Sequence, residues 1–398
     1  MLIDRNILYP SLESRFRIDK IKSLLRDAGA EKGDLVTISI MVVDNLHIAS
    51  ILACAEMGLK LILLDSPATR ESLPYTKLSL HGPSQFYIHD SLEDTSHVYQ
   101  GLHDEMIKRY GGKPVDVRKD VVVEPFHVDV YPDDPFIMSS TSGTTKPSRP
   151  ILFSHKEVYG ISKRNIEIFK FDEHSSVCHT RNMHHAAAMF TSLFPSLMST
   201  IHHDCMPIGH DLSGDGYEIL KGYRKIHQNE YTHIMIPNKS TLMDFLESVH
   251  QPFKKTLNIN MCGFPLDQSF VELAEKYNVR FQSHYGSIDT AIPLLVNFVD
   301  KDSVVKNNTL GILPDNFYKT TLENGRMKVE HEWWDEPRYM EDYLKQEEDE
   351  FIIRPRKENT GRYLTALTQG LDIDLELFFQ DTKLNMEQLR GHIHEIKE

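Results

Sequence analysis

Residues 139–150 read SSTSGTTKPSRP, a run of hydroxyl side chains around a single glycine that ends with Arg149 between two prolines. Pro135-Phe136-Ile137-Met138 precedes the run, and Ile151-Leu152-Phe153 with Ser154-His155-Lys156-Glu157 follows it, so it is a loop between two strands. Ser154 with Glu157 three residues on is a capping box, and Val158, Ile161, Ile168 and Phe169 recur at helical spacing behind it. A helix therefore starts directly after the second strand. A Ser/Thr/Gly loop presents backbone N–H groups and hydroxyls together, the donors that hold a polyphosphate without burying many charges. The same residues also make an ordinary solvated turn. A Walker A loop is excluded, because no second glycine stands before a Gly-Lys-Ser/Thr ending.

The pattern repeats on both sides of the loop. Ile18, Ile21, Leu24, Leu25 and Ala28 predict a helix that stops at Gly29, followed by a buried strand over 35–40, a helix over 46–57 that stops at Gly58, and a strand over 59–64. That order is a βαβ unit with a parallel sheet. Further on, Asp267 is expected to cap a helix carrying Phe270, Leu273, Ala274 and Tyr277, which leads to a strand over 279–283 and then to His284-Tyr285-Gly286-Ser287-Ile288-Asp289. From about Gly311 the character changes: 317–322 and 326–330 flank Asn324-Gly325, a hairpin signal. The acidic stretch from Glu341 to Glu350 reads as a solvated face or loop. The fold class expected is α/β, with βαβ-based mixed sheets and flanking helices in two similar subdomains, 1–134 and 135–310, and a small antiparallel β subdomain over 311–365.

The chain has 398 residues, of which 40% are hydrophobic and 26% charged, a composition ordinary for a globular protein. The apolar stretch near 59–64 is too short to span a bilayer, and residues 1–5 lack the order of a signal peptide, so the protein is expected to be cytoplasmic with no membrane span. Cys54, Cys178, Cys205 and Cys262 are widely spaced, which suggests neither a disulfide framework nor a zinc knuckle. A net charge of −14 argues against a nucleic-acid partner, so an anionic ligand must be met by loop amides and a few placed cations. His184-His185 and His202-His203 invite a metal reading, but adjacent histidines on a strand face opposite ways and no Asp, Glu or His set stands at helical spacing beside them. No Gly-x-Ser-x-Gly elbow is present for a serine hydrolase.

Four of these segments together resemble the adenylate-forming superfamily of acyl-CoA synthetases, luciferases and peptide-synthetase adenylation domains. Thr141-Ser142-Gly143-Thr144-Thr145 and the later Ser154-His155 match its phosphate loop, with Lys146, Ser148, Arg149 and Pro150 standing where the family has Gly, Pro, Lys and Gly. His184-His185-Ala186-Ala187-Ala188 resembles the segment that shapes the acyl pocket, Cys262-Gly263-Phe264-Pro265-Leu266 the turn against adenine, and Tyr285-Gly286-Ser287-Ile288-Asp289 the element whose Tyr stacks on adenine and whose acid helps to hold Mg²⁺. The resemblance covers roughly residues 15 to 365. It implies activation of a small-molecule carboxylic acid by ATP and Mg²⁺ as an acyl-adenylate, with pyrophosphate released and CoA, a carrier-protein thiol or an amine as possible acceptor. A non-catalytic descendant that keeps a nucleotide or acyl pocket is the alternative.

The resemblance also assigns roles. Thr144, Arg149, His185 and Asp289 are the implied catalytic residues, with Asp289 the metal ligand. Thr141, Ser142, Gly143, Thr144, Thr145, Gly263, Phe264, Pro265, Tyr285, Gly286, Ser287 and Arg362 are the implied nucleotide contacts. Ile288 replaces a family Thr whose hydroxyl is expected at the α-phosphate, a loss that Ser287 or Thr290 stands near enough to replace. The family's Thr-Gly-Asp, whose acid grips both ribose hydroxyls, aligns with Thr360-Gly361-Arg362, where a carboxylate has become a guanidinium. Residues 366–398 read as the vestige of a mobile C-terminal domain with a catalytic lysine, so full turnover is expected to need a separate C-terminal domain or partner protein.

Overall fold

The computed structural model describes residues 12–39, 45–63, 84–89, 112–140, 150–179, 186–199, 201–205, 231–236, 239–262, 265–290, 293–306 and 309–354. These fall into two compact units, one up to residue 205 and one from 231 onward.

The first unit opens with helix α1, Leu12–Ala28, whose Ile18, Ile21 and Leu25 are buried and which ends at Gly29, where φ is +92°. Strand β1 (Leu35–Ser39), helix α2 (Asn45–Met57) and strand β2 (Lys60–Leu63) follow, with β1 and β2 parallel as the βαβ pattern predicts. Strands β3 (Phe86–His89) and β4 (Lys113–Asp116) extend the sheet in parallel on the other side of β1. Strand β5 (Pro135–Ser140) joins it parallel to β2, and β6 (Pro150–Ser154) turns back antiparallel to β5, giving the order β4-β3-β1-β2-β5-β6. The first sheet thus runs on past residue 134.

An ion cluster ties α1 to α2. Lys22 is 1% exposed, and its Nζ donates at 2.9 Å to both Glu56 and the Phe126 carbonyl, while Arg15 bonds Glu56 and Asp19. Burial alone raises the Glu56 pKa, but hydrogen bonds from Arg15 and Lys22 outweigh it and hold the carboxyl below its ordinary range. Helix α3 (His155–Phe169) starts with the predicted capping box: the Ser154 N–H donates to Glu157 Oε2 at 2.8 Å, and the Glu157 N–H to Ser154 Oγ at 3.4 Å. Val158, Ile161 and Phe169 are buried, and Ile168 is half-buried. Strand β7 (Ser176–His179) and strand β8 (His202–Cys205) pair in parallel, separated in sequence by a helical stretch whose middle, Met189–Leu193, is a buried π-helical turn.

The second unit carries strands β9 (His233–Ile236), β10 (Leu257–Cys262) and β11 (Val279–Tyr285) in parallel, with helix α4 (Lys239–Glu247) after β9 and helix α5 (Ser269–Tyr277) between β10 and β11. The N-cap of α5 is Gln268, not Asp267. Asp267 takes the Ser269 N–H onto its carboxylate at 2.9 Å, an Asx turn that sets the first turn from one residue earlier. Strand β12 (Leu295–Val299) closes this edge antiparallel to β11. An antiparallel sheet follows, built from β13 (Thr309–Gly311), β14 (Lys319–Glu323), β15 (Arg326–Glu330), β16 (Arg338–Glu347) and β17 (Glu350–Arg354) in the order β13-β17-β16-β15-β14. Asn324 and Gly325 both have positive φ, 52° and 79°, as a two-residue hairpin turn requires. The acidic stretch is not a loop but lies mostly in β16, where it forms the solvated face expected of it: Tyr343, Lys345 and Gln346 are exposed, while Asp342 and Leu344, with Met340 just before them, are buried. Met340 and Leu344 share a core with Leu294, Leu295, Leu310, Tyr318, Met327, Val329 and Phe351.

Candidate functional site

The hydroxyl loop itself, residues 141–149, lies outside the described residues, and with it Thr141, Ser142, Gly143, Thr144, Thr145 and Arg149. Its two ends are described. Ser140 pairs with Pro150 and Ser139 with Ile151 across the antiparallel pair β5–β6, and α3 follows β6 directly. His155, in the first turn of α3, is 3% exposed and lies flat on Phe136 with ring centroids 4.5 Å apart and planes 12° apart. Its Nε2 is buried without a hydrogen-bond partner. Burial pushes the imidazole pKa down to about 4 against the opposing pull of Asp134.

In the second unit the sequence candidates converge on the C-terminal ends of adjacent parallel strands, the position at which open α/β sheets bind ligands. Cys262 ends β10, and it stands beside His284, the residue before Tyr285 on β11. Pro265 follows β10 as a half-buried residue, while Gly263 and Phe264 lie outside the described residues. Tyr285 ends β11, Gly286 and Ser287 continue half-buried, and Asp289 sits in a short 3-10 turn, Ile288–Thr290. The Tyr285 hydroxyl donates to Asp342 Oδ2 at 2.7 Å. Asp342 is 6% exposed.

The turn is held from behind. Tyr318 donates its hydroxyl to the Thr290 carbonyl at 2.6 Å, and the Thr290 hydroxyl bonds back to the Ser287 carbonyl at 3.2 Å beside the Met340 sulfur. Thr290 is fully buried. Its hydroxyl thus serves the turn, and the hydroxyl of half-buried Ser287 likewise faces the buried Met340 sulfur at 3.8 Å, so both replacements open to Ile288 direct their hydroxyls inward. Ile288 is itself buried, at 7% exposure.

Asp342 is the residue that sequence reading missed. Its signal was the alternation Met340-x-Asp342-x-Leu344, in which an acid occupies an inward strand position between two apolar residues. His185 and Arg362 lie outside the described residues. Among the described residues no group of three or more His, Cys, Asp or Glu is arranged to hold a metal ion, and no helix is long and apolar enough to cross a membrane.

Comparison with solved structures gives the fold a place. O-succinylbenzoate coenzyme A synthetase (MenE) from Bacillus subtilis, in complex with ATP and magnesium ion, matches with a TM-score of 0.70 at 15% identity, over 87% of this chain and 74% of that chain. The McyG A-PCP structure complexed with phenylalanyl-adenylate matches with a TM-score of 0.69 at 15% identity, over 86% and 70%. The N-terminal domain of FACL13 from Mycobacterium tuberculosis matches with a TM-score of 0.69 at 14% identity, over 86% and 92%. The fold is that of the adenylate-forming enzymes. No protein-family model and no curated protein matches the chain in sequence. At such low identity the adenylate-forming fold is established by geometry alone, and the side chains carry any statement about chemistry.

Proposed function

We propose that the chain activates a carboxylic acid with ATP, forming an acyl-adenylate and releasing pyrophosphate. The observation that carries this reading is the Tyr285–Asp342 pair: a phenol at the end of β11 held by a buried carboxylate, in a fold whose solved representatives include complexes with ATP and with an aminoacyl-adenylate. A carboxylate oxygen of Asp342 is an acceptor that suits a ribose diol, and the Tyr285 ring beside it suits an adenine face. In this reading Asp342, not position 362, supplies the acid that grips the ribose.

The remaining parts follow from charge. A carboxylate and a triphosphate repel each other, so positioning and neutralisation carry the rate. The 141–145 loop would supply N–H and hydroxyl donors to the departing phosphates and Arg149 a cation, with His185 at the acid pocket. Asp289 would offer the hard oxygen that Mg²⁺ takes, and the metal would supply charge neutralisation at the phosphates. CoA, a carrier-protein thiol or an amine would receive the acyl group. A cytoplasmic setting accords with this chemistry.

Calorimetry with Mg-ATP and AMP, followed by acid-dependent ATP–pyrophosphate exchange, tests the proposal. Exchange that rises with an added carboxylic acid is expected. Absence of nucleotide binding up to millimolar concentration would overturn it. Binding without turnover is the second reading, favoured by the buried Ile288 and the inward Thr290 hydroxyl. Nucleotide binding with no exchange for any acid would select it.

A further inference from the structure

The two faces of the second unit's parallel strands differ in kind. On β10, Leu257, Ile259 and Met261 alternate with Asn258, Asn260 and Cys262; on β11, Val279, Phe281 and Ser283 alternate with Arg280, Gln282 and His284. The register sets Asn258 beside Arg280, Asn260 beside Gln282, and Cys262 beside His284, so these six side chains share one face. The other set lies on the α5 side, where Phe281 meets Phe270 edge to face at 5.1 Å. Interior strands of a parallel sheet are ordinarily apolar on both faces, because both are covered. These are not.

Asn260 and Gln282 are 1% and 3% exposed. Gln282 Nε2 donates to Asn258 Oδ1 at 3.2 Å and Asn258 Nδ2 donates to the Thr232 carbonyl at 3.1 Å, yet Asn260 Oδ1 and Gln282 Oε1 accept no hydrogen bond. Two buried acceptors thus stand side by side across one strand pair, in the state that costs a fold most. Gln282 lies three residues before Tyr285 on the same strand, about 10 Å along it. The row reaches the strand ends at Cys262, which is half-buried and gives the row its outer end.

We propose that this row reads the body of the activated acid, and that the acid carries a hydroxyl or N–H donor which Asn260 Oδ1 and Gln282 Oε1 accept. The inference rests on the acid-activating reading above and adds a substrate class to it. A plain hydrocarbon acid leaves both acceptors unpaired, and that penalty is what lets a hydrogen-bonding site reject an analogue lacking the donor. An acid with a donor at this depth relieves it.

The test uses the full chain and two isosteric pairs of acids: 6-hydroxyhexanoate with heptanoate, and 3-(4-hydroxyphenyl)propanoate with 3-(4-methylphenyl)propanoate. Acid binding is measured by calorimetry in the presence of AMP and again without nucleotide, which separates this inference from the activation reading, since acid binding needs no turnover. In at least one pair the hydroxyl member is expected to bind tenfold or more tightly than its partner. Asn260→Leu and Gln282→Met should each erase that preference while leaving the folded melting temperature unchanged or higher. Equal or tighter binding of the hydrocarbon member in both pairs overturns the proposal, as does failure of all four acids to bind, or a preference that survives both substitutions. The wild-type ratio decides the matter if either variant fails to fold.

Discussion

Replacing His155 by Phe removes a titration that the folded first unit resists. In the fold the imidazole is 3% exposed, stacked on Phe136, with Nε2 unpartnered and a pKa pushed from 6.5 to about 4, chiefly by burial. The unfolded chain therefore takes up its proton first as pH falls through 6.5, and the folded chain follows only near 4. Stability from the neutral ring is fully present above pH 6.5 and is lost progressively down to about 4. The gap between 6.5 and about 4, at 1.36 kcal/mol per pH unit, comes to about 3 kcal/mol in full and about 2 kcal/mol at pH 5. Phe keeps the ring stack and carries no proton, so the variant should lose about 2 kcal/mol less than wild type between pH 7 and pH 5. Urea unfolding followed by far-ultraviolet circular dichroism at the two pH values measures this difference. Other acid-sensitive groups, Glu56 with its depressed pKa among them, weaken both proteins alike at lower pH and cancel in the comparison. Equal losses in the two proteins would refute the reasoning, because His155 would then bind its proton as readily folded as unfolded.

Asp342→Ala should weaken AMP and ATP equally, by about 10- to 150-fold for the loss of one charge-assisted acceptor pair, whereas Thr144→Ala with Thr145→Ala should weaken ATP more than AMP. Both tryptophans of the chain, Trp333 and Trp334, pack with Phe317 or Tyr318 behind the 288–290 turn, so their emission is the titration signal; unchanged AMP affinity in the Asp342 variant would remove that residue from the site. Gly311→Ala should cost about 3–5 kcal/mol, since φ there is +95° and an added Cβ would fall 1.9 Å from the Val296 carbonyl oxygen; a shift in urea midpoint worth under 1 kcal/mol would contradict it. Lys22→Met should cost about 3 kcal/mol in thermal unfolding, because Glu56 then keeps only Arg15 in a covered site, and a neutral result would show that the cluster rearranges freely.

The parts of the fold that were legible in the sequence are those decided within a few residues. Ser154 with Glu157, Asn324 with Gly325, and the helix stops at Gly29 and Gly58 each carry their own local physics, and the structure realises each of them. Asp267 misled by one position because an Asx turn and an N-cap use the same carboxylate. What resisted reading was whatever depends on register between distant segments. Asp342 meets Tyr285 across 57 positions and was hidden among acids, so charge density suggested solvent where alternation pointed inward. Thr290 is held through its carbonyl by Tyr318 and packs its hydroxyl beside the Met340 sulfur, and neither residue is near it in sequence. The polar row on β10 and β11 was disguised in a further way. Leu-Asn-Ile-Asn-Met-Cys alternates as an antiparallel strand with one wet face would. Only the parallel pairing of β10 with both β9 and β11 turns that alternation into buried polarity, and buried polarity without partners is a stability cost that a fold retains where a ligand repays it.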